Sequence, residues 1–554
     1  MTLPRLRCLL AAAGLLSACS RGDPVEGDLR DAVFIGIPDD VPSLLPVRSR
    51  APSDAWILDT VTWPLLWATV DGELSWEPAL AESWSLAPDG RTVHLALRPG
   101  VTWEDGAPVT SRDVAFSFDL AADPAVGSRL ADGLRAIDPL ARPAVVSDLD
   151  VAFRFLSPRP LQAALAVLAS VPVLPHHVLG QANRAALAHH YANGRPLVCG
   201  PWRVSRWRPG DRLVLEANRR FTGPKEDAAH LTHVVFRVLP EYDARLDALE
   251  SGAVDVVRDL RVEDADRLVR TRPEIALRRR GWRTLAYVGW NLEVPLFADP
   301  GVRRALTTAV NRDGLVDTLL TSRATGDRYG RPAVGSVTPA LGGAHADEIV
   351  PIPYDPVAAR TALAEAGWID RNDDGVLDRE GRPFRFHLLL PSGLQTRGEV
   401  AARVRADLQE VGVDAVLDSV SPTIFQERLR DRDFQAVLGA WSTSLPLDLS
   451  AHWHSKAAGT LNFVSYANSE VDALLDAASS EADPERERAA WRRLQVLIYQ
   501  DQPCTFLYWA DEIVAVHRRF RDTRVDLASP WGRLERWWVP PEAVRDPSQA
   551  EGDP

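Results

Sequence analysis

In its second half the chain alternates amphipathic helices with strands, and glycine follows each helix. Asp355 is placed to act as the N-cap of one helix, with Pro356 at the first helical position, and Gly367 stands where that helix should end. A helical face at 400–408 is likewise followed by glycine and by an alternating strand pattern at 413–417. Repeated helix–glycine–strand units predict an α/β fold.

A chain of 554 residues is too long for a single hydrophobic core, so two or three domains are expected. The composition, 46% hydrophobic and 25% charged, is that of a globular protein. The net charge of −13 argues against nucleic acid and against an anionic membrane surface as partners.

The first residues have the parts of a bacterial lipoprotein signal. A positively charged start precedes a short apolar core at 9–16, and Leu16–Cys19 matches the cleavage site before a cysteine that can be acylated. The apolar run is too short to span a bilayer. We expect 1–19 to be a signal peptide ending at the acylated Cys19 and 20–30 to be a tether. The protein should then lie lipid-anchored on the periplasmic or cell-surface side of the membrane.

After cleavage of the signal and acylation of Cys19, the cysteines that remain in the mature chain are Cys199 and Cys504. In an oxidising compartment an even pair permits one disulfide, and two separate buried thiols are the alternative.

The sequence contains no motif for a known catalytic centre. Neither lysine follows a glycine as in a phosphate loop, and GxSxG, HExxH and SxxK patterns are missing. His230 and His233 have metal-ligand spacing but no neighbouring carboxylate or cysteine cluster. Residues 370–375 fit the opening of a calcium loop, but Gly381 stands where the bidentate glutamate belongs, so a tight Asx turn is expected. We therefore expect no enzymatic activity, no cofactor and no bound metal.

Six segments in a fixed order carry a family resemblance. They include a P-x-LA-x-SW strand, two DG turns, a DV-x-FS helix and a GPW…N-x-x-F element, and they lie at 78–118, 197–221, 248–257, 290–316, 354–367 and 405–413. Together they resemble the bacterial extracellular solute-binding proteins of family 5, the oligopeptide-, dipeptide- and nickel-binding receptors of ABC importers. The resemblance extends from about residue 32 to residue 522.

The resemblance implies a two-lobe, periplasmic-binding-protein-like α/β fold of type II, in the large class with an extra inserted domain. Such proteins close around a ligand by hinge motion. The expected division is 31–58, 197–288 and 505–540 for lobe I, 59–190 for the inserted domain, 289–504 for lobe II and 541–554 for a tail. Cys199 would lie in lobe I and Cys504 at the point where the chain returns to that lobe, and a Cys199–Cys504 disulfide is expected.

In function, the resemblance implies a monomeric receptor that captures a small organic solute in the interlobe cleft and delivers it to an ABC permease. A binding protein that feeds a sensor has the same cleft and a different partner. A secreted metal-dependent hydrolase is the third alternative, and the missing catalytic motif argues against it.

The resemblance also places ligand contacts. Trp441 aligns with a family tryptophan beside the ligand. In peptide-binding relatives an aspartate three residues later pairs with the peptide ammonium group, but Ser444 occupies that position and Asp448 comes four residues further on. The relatives' carboxylate-binding arginine is also missing, and Arg397 or Arg50 could substitute for it.

A broken buried ion pair costs about 3–5 kcal/mol, so an uncharged or singly charged, peptide-like solute is expected. The expected contacts are Ser49, Arg50, Trp63, Trp67, Arg397, Trp441, Ser442, Thr443, Ser444 and Asp448. His452 and His454 are kept as candidates for holding a metal chelate.

Overall fold

The computed structural model describes residues 29–545, apart from 42, 49–51, 129, 141–142, 185–186, 188–195, 394, 443–444, 446, 459–460, 482, 526 and 530. Five residues with an expected role therefore lie outside the described residues, namely Cys19, Ser49, Arg50, Thr443 and Ser444. The expected signal peptide and most of the tether lie outside them as well.

The strands alternate with helices along most of the chain. The described strands are β1 (Val33–Ile37), β2 (Leu66–Asp71), β3 (Glu73–Pro78), β4 (Ala81–Leu86), β5 (Thr92–Leu97), β6 (Ala144–Val145), β7 (Asp150–Arg154), β8 (Trp202–Arg208), β9 (Arg212–Ala217), β10 (His233–Val238), β11 (Val256–Val257), β12 (Ile275–Trp290), β13 (Gly330–Pro332), β14 (Asp378–Arg379), β15 (Arg382–Pro383), β16 (Arg385–Pro391), β17 (Asp414–Val420), β18 (Ala436–Ser442) and β19 (Cys504–His517).

The described α-helices are α1 (Pro52–Val61), α2 (Ser111–Ala122), α3 (Ala131–Leu134), α4 (Leu161–Ala169), α5 (His176–Leu179), α6 (Tyr242–Glu250), α7 (Val262–Thr271), α8 (Pro300–Ala309), α9 (Arg312–Leu319), α10 (Pro356–Glu365), α11 (Gln395–Glu410), α12 (Pro422–Asp431), α13 (Ser450–Trp453), α14 (Ser469–Ser480) and α15 (Pro484–Asp501). In the described part of the chain, no helix combines the length and the apolar character that crossing a membrane requires.

One mixed sheet of 11 described strands joins the two halves of the molecule. Its order is β17-β16-β18-β12-β19-β11-β1-β10-β9-β8, and β13 pairs with β19 outside this path. We call the end with β16, β17 and β18 lobe II, and the end with β1 and β8 to β11 lobe I. The sheets β2-β3 and β4-β5-β7-β6 form the inserted domain, whose core is continuous with that of lobe I.

Two long strands cross from one lobe to the other. The first part of β12, Ile275–Arg280, pairs with the end of β19 beside β11 of lobe I. The second part, from Thr284 onward, lies between β18 and β19 in lobe II. The register shifts between Arg280 and Thr284, and Trp282 has a φ of +41° in this irregular segment. The hinge between the lobes is therefore the segment 280–284 of β12 and the part of β19 that faces it.

The observed elements differ from the expected domain boundaries in two places. The boundaries at 288/289 and 504/505 fall within the lobe II parts of β12 and β19. Residues 541–545, assigned to the tail, are ordered against lobe I, and Arg545 forms an ion pair with buried Asp255 at 2.8 Å. The expected tail boundary at residue 541 therefore falls within a segment that contacts lobe I.

Several local expectations are confirmed. The Asp355 carboxylate accepts N–H groups of the first helical turn at 3.0 and 2.9 Å, and Gly367 has a φ of +86° just after α10. Within the segment 78–118, which carries the family resemblance, β5 turns Val93, Leu95 and Leu97 inward. The loop at Asp370 is an Asx-rich turn, in which Gly375 N–H donates to the Asp370 carboxylate at 2.9 Å.

The hinge strands carry a buried charge network that should be measurable in stability. Arg280, which is 0% exposed, and Arg258 both form ion pairs with Glu512 of β19. Glu512→Ala leaves two buried guanidinium groups without their carboxylate and should lower the free energy of unfolding by about 3–5 kcal/mol in urea titrations. The control is Glu470→Ala, which removes the exposed pair with Arg493 and should cost less than about 1 kcal/mol. Equal losses in the two variants would contradict the assignment.

Candidate functional site

The carboxyl ends of parallel strands from both lobes meet at one gap. The end of β1 leads into Gly36–Asp39, and the end of β18 is Ser442. These segments line a cavity of about 230 Å³ together with Arg258 and Trp531 of lobe I and Thr284 of the hinge. Ligands of open α/β sheets bind at such carboxyl ends. This gap between the lobes is therefore the candidate binding cleft.

Two further chambers continue the cleft toward the inserted domain. The second, of about 260 Å³, is lined by Trp67, Trp76 and Trp531 and reaches Leu445 of lobe II. The third, of about 490 Å³, lies between the inserted domain and lobe II, and Leu445 and Asp448 line it. Trp531 borders the first two chambers and Leu445 borders the last two. The chambers therefore follow one another along the interface between the lobes.

An aromatic wall on lobe II lies next to Ser442, the end of β18. The Trp441 ring is tilted against the rings of Tyr287 and His452, with ring centres 4.4 and 5.0 Å apart. The Tyr287 ring lies directly over Gly439 of the neighbouring strand, where a Cβ atom would collide with it. Burial lowers the pKa of His452, and within the described residues its Nδ1 atom has no hydrogen-bond partner. Neutral aromatic surface of this kind suits apolar and planar parts of a ligand.

Arg397 is the cation of this wall. It lies in the first turn of α11, directly after the carboxyl end of β16, and is half-buried. Burial lowers the pKa of Arg397, and the titratable groups that interact with it are the hydroxyls of Tyr287 and Tyr508. No carboxylate among the described residues pairs with this guanidinium. The free N–H groups of a helix N-terminus also favour an anion, so the position can hold a ligand carboxylate.

The structure brings some of the expected contacts together and places others elsewhere. Ser442 lines the first chamber, whereas Trp441 and Arg397 line none of the three chambers and lie beside Tyr287 of lobe II. Asp448 lines the third chamber and accepts the Ser450 N–H at 2.9 Å. Trp67 lines the second chamber, with the Arg533 guanidinium 4.2 Å from its ring centre.

Trp63 does not lie with these contacts. It is 1% exposed, packs on Phe221 at 5.1 Å and belongs to the core that lobe I shares with the inserted domain. The expectation that it contacts ligand is thus not supported by its position.

The two candidate histidines lie in different surroundings. His452 faces Trp441, whereas His454 is buried beside Asp472 at 3.3 Å and accepts the Lys456 N–H at 3.2 Å. His454 therefore stabilises the turn that follows α13. Within the described residues there is no group of three or more potential metal ligands.

Sequence reasoning did not find Tyr287 and Trp531. Tyr287 lies inside the long apolar strand β12, and its only local signal is the glycine that faces it at 439. Trp531 follows the last recognisable motif, in an irregular segment between β19 and the C-terminus. Both residues acquire their position from strand pairing and chain path and not from a local pattern.

The expected disulfide is wrong. Cys199 and Cys504 are free thiols, both buried, and they belong to different cores. Cys199 packs in the core of lobe I and the inserted domain, and Cys504 packs in a core of lobe II. Burial raises the pKa of Cys199 to about 12, so this thiol is unreactive in the folded protein.

Two lobes joined by crossing strands, with a chambered cleft between them, define a solute-binding protein of the two-lobe periplasmic class. The chain belongs to the bacterial extracellular solute-binding proteins of family 5, because the profile described as "Bacterial extracellular solute-binding proteins, family 5 Middle" matches residues 75–460. The resemblance inferred from the six segments is thereby confirmed, as is the two-lobe α/β fold.

Known relatives align over most of their length. The oligopeptide-binding protein AppA of Bacillus subtilis is 27% identical over 555 residues, covering 96% of this chain and 98% of the relative. The structure of that AppA in complex with a nonapeptide has a TM-score of 0.75 at 25% identity, covering 92% and 99% of the two chains. NikA from Brucella suis, in complex with Fe(III)-EDTA, shares the fold with a TM-score of 0.78 at 18% identity, covering 92% and 100%.

The state of the cysteines can be checked chemically. The chain from residue 20 onward should release two titratable thiols in denaturant without reductant, because Cys199 and Cys504 are not bonded. In the native state both should react far more slowly, since both are buried. No reactive thiol in denaturant, together with a mobility change on reduction, would show that the bridge forms.

Proposed function

We propose that this protein is a lipid-anchored receptor that binds an elongated, peptide-like solute with a free carboxylate and delivers it to an ABC importer. The observation that carries the ligand proposal is Arg397, a half-buried cation without a carboxylate partner among the described residues. A buried cation is costly unless an anion pairs with it. In the closed cleft a ligand carboxylate supplies that anion.

The shape of the cleft supports an extended ligand. Chambers of about 230, 260 and 490 Å³ follow one another, and each is lined by side chains from two parts of the fold. A single compact solute would fill one of them, whereas an extended chain can place successive groups in all three. The nonapeptide in the AppA complex is a ligand of this shape in a relative of this chain.

The amino end of the ligand is recognised differently from its carboxyl end. Asp448 lines the third chamber but already accepts the Ser450 N–H, and Asp448 is exposed. Ser444, at the position of the relatives' ammonium partner, lies outside the described residues. We therefore propose that the receptor requires the ligand carboxylate and tolerates a blocked amino group.

Location and partners follow from the leader and the family. The leader ending at Cys19 supports acylation, a tether at 20–30 and a periplasmic or cell-surface position. Relatives are named as ABC transporter peptide-binding proteins, which supports an ABC permease as partner. We propose that the receptor acts as a monomer and has no enzymatic activity of its own.

Calorimetry with a mixed di- to nonapeptide library tests the carboxylate. Arg397→Ala should weaken binding of free-acid peptides by about 10- to 100-fold, since hydrogen bonds to charged groups contribute about 1.5–3 kcal/mol. Arg403→Ala, which removes an exposed arginine of the same helix, is the matched control and should bind like the unaltered protein. C-terminally amidated peptides should bind weakly to all three proteins. Equal affinity for acids and amides would contradict the role of Arg397.

The same titrations decide the role of the amino end. N-acetylated and free-amine peptides should bind with similar affinity, and Asp448→Ala should have little effect. Tight binding of zwitterionic peptides that Asp448→Ala abolishes would show that the ammonium group is held in the family's usual way and that the proposal is wrong.

Membrane attachment is tested by fractionation. Cys19→Ser should move the protein from the membrane fraction to the soluble fraction, because a thioether-linked lipid cannot form on serine. Cys8→Ser removes the other leader cysteine and should leave fractionation unchanged. Membrane association that persists in Cys19→Ser would refute acylation at this residue.

A further inference from the structure

An arginine-lined cavity lies on lobe I, away from the cleft. It measures about 500 Å³ and opens at the surface where β19 ends. Its lining residues are Ala276, Arg278, Arg518, Phe520, Arg521, Asp522, Thr523 and Arg524. Lobe I thus has a second cavity that the solute-binding function does not use.

This cavity concentrates positive charge, with four arginines and one aspartate in its lining. Arg278 donates to the Thr523 carbonyl and hydroxyl oxygens at 3.1 and 3.0 Å, which shapes the wall. Arg518, Arg521 and Arg524 are exposed. No carboxylate of the described residues lies within ion-pair distance of these four guanidinium groups. The carboxylate in the lining, Asp522, instead accepts the Trp538 Nε1–H at 3.1 Å.

Two of the arginines act on one another. Burial lowers the pKa of Arg278, and the neighbouring charge of Arg518 lowers it further. The lining holds four arginines against one carboxylate, so positive charge is in excess. An anion that enters the cavity would relieve this repulsion.

The cavity lies beside the point where the chain enters lobe I. Arg519, between the cavity residues 518 and 520, donates to the carbonyl oxygens of Arg30 and Ala32 at 3.0 and 2.6 Å. Ten residues lie between Cys19 and Arg30, and the eleven Cα–Cα steps can span at most about 40 Å. A lipid on Cys19 would therefore hold this face of lobe I within a few nanometres of the membrane.

We propose that this cavity binds the phosphate of an anionic phospholipid headgroup and so holds lobe I in a fixed orientation on the membrane. The inference rests on the proposed acylation of Cys19 for the nearness of the membrane. Arginine suits this ligand because its guanidinium group can form two parallel hydrogen bonds to phosphate oxygens.

The net charge of −13 does not oppose this binding. Charges beyond about 8–10 Å are screened at physiological ionic strength, so the membrane interacts with the nearest face and not with the whole protein. The acidic remainder is repelled, and that repulsion favours the orientation with the arginines toward the bilayer. Under this proposal, the distribution of charge favours an anionic surface that the total charge disfavours.

Vesicle co-sedimentation with the chain from residue 20 onward tests the proposal without the anchor. This chain retains every described residue. It should bind vesicles that contain phosphatidylglycerol, bind pure phosphatidylcholine vesicles much more weakly, and lose affinity as salt is raised. The combined variant Arg518→Gln, Arg521→Gln, Arg524→Gln should bind about 100-fold more weakly, since each basic residue at an anionic surface contributes about fivefold.

Two further variants separate a specific effect from misfolding and from lost charge. Arg304→Gln, Arg403→Gln, Arg405→Gln removes the same charge from exposed helical positions of lobe II and should bind like the parent chain. Replacing the three cavity arginines by lysine keeps the charge but removes the paired guanidinium hydrogen bonds, and should give an affinity between those of the parent chain and the glutamine variant. Equal loss in the lobe II variant would overturn the proposal, as would unchanged binding in the cavity variant.

Inorganic phosphate distinguishes the source of the anion. Calorimetric binding of phosphate without vesicle binding would overturn the lipid assignment and leave a site for a free anion. The fractionation of Cys19→Ser tests the lipid anchor independently of vesicle binding. Vesicle binding with no acylation would refute the anchor alone, and acylation without vesicle binding would refute this inference alone.

Discussion

The molecule depends on the pairing of β12 with β19, because these two strands hold both lobes in one sheet. Their lobe I parts pair beside β11, and their lobe II parts pair beside β18 and β13. Between the two parts the register of the β12–β19 pairing shifts, and the backbone N–H of Trp282 donates a hydrogen bond to the Asp511 carboxylate at 2.8 Å. A sheet bends most easily where its ladder is interrupted. Opening and closing are therefore expected to concentrate at this segment.

Contacts across the cleft show how closure is coupled to a ligand. The hairpin β2–β3 of the inserted domain reaches lobe II, where Glu73 pairs with Arg488 at 2.8 Å and Val70 packs on the lobe II core. Glu73 is largely exposed, and surface ion pairs of this kind contribute about 0–1 kcal/mol. These contacts alone are weak. A ligand that fills the chambers and neutralises Arg397 would supply the remaining stabilisation of the closed form.

Features whose cause lies within a few residues could be predicted from sequence. The cap at Asp355, the glycine at 367 and the alternation in β5 each follow from local backbone and side-chain chemistry. The prediction of a Cys199–Cys504 disulfide was wrong, because the position of a cysteine in the sequence does not fix which core its side chain enters. Tyr287 was missed for a related reason, since its place beside Trp441 depends on its register opposite Gly439.

The arginines show how the surroundings decide the role of a charged side chain. Arg303 is buried, and its guanidinium donates hydrogen bonds to the backbone carbonyl oxygens of Phe297 and Gln502. Arg312 is satisfied in the same way by the carbonyl oxygens of Ala333 and Ile352. Such arginines hold helices against the sheet. Their N–H groups are already bonded to carbonyl oxygens, so they do not bind a ligand. Because a guanidinium carries five donors and a fixed charge, an arginine without such acceptors is incomplete until an anion arrives. Among the described residues, Arg397 meets this condition after the carboxyl end of β16.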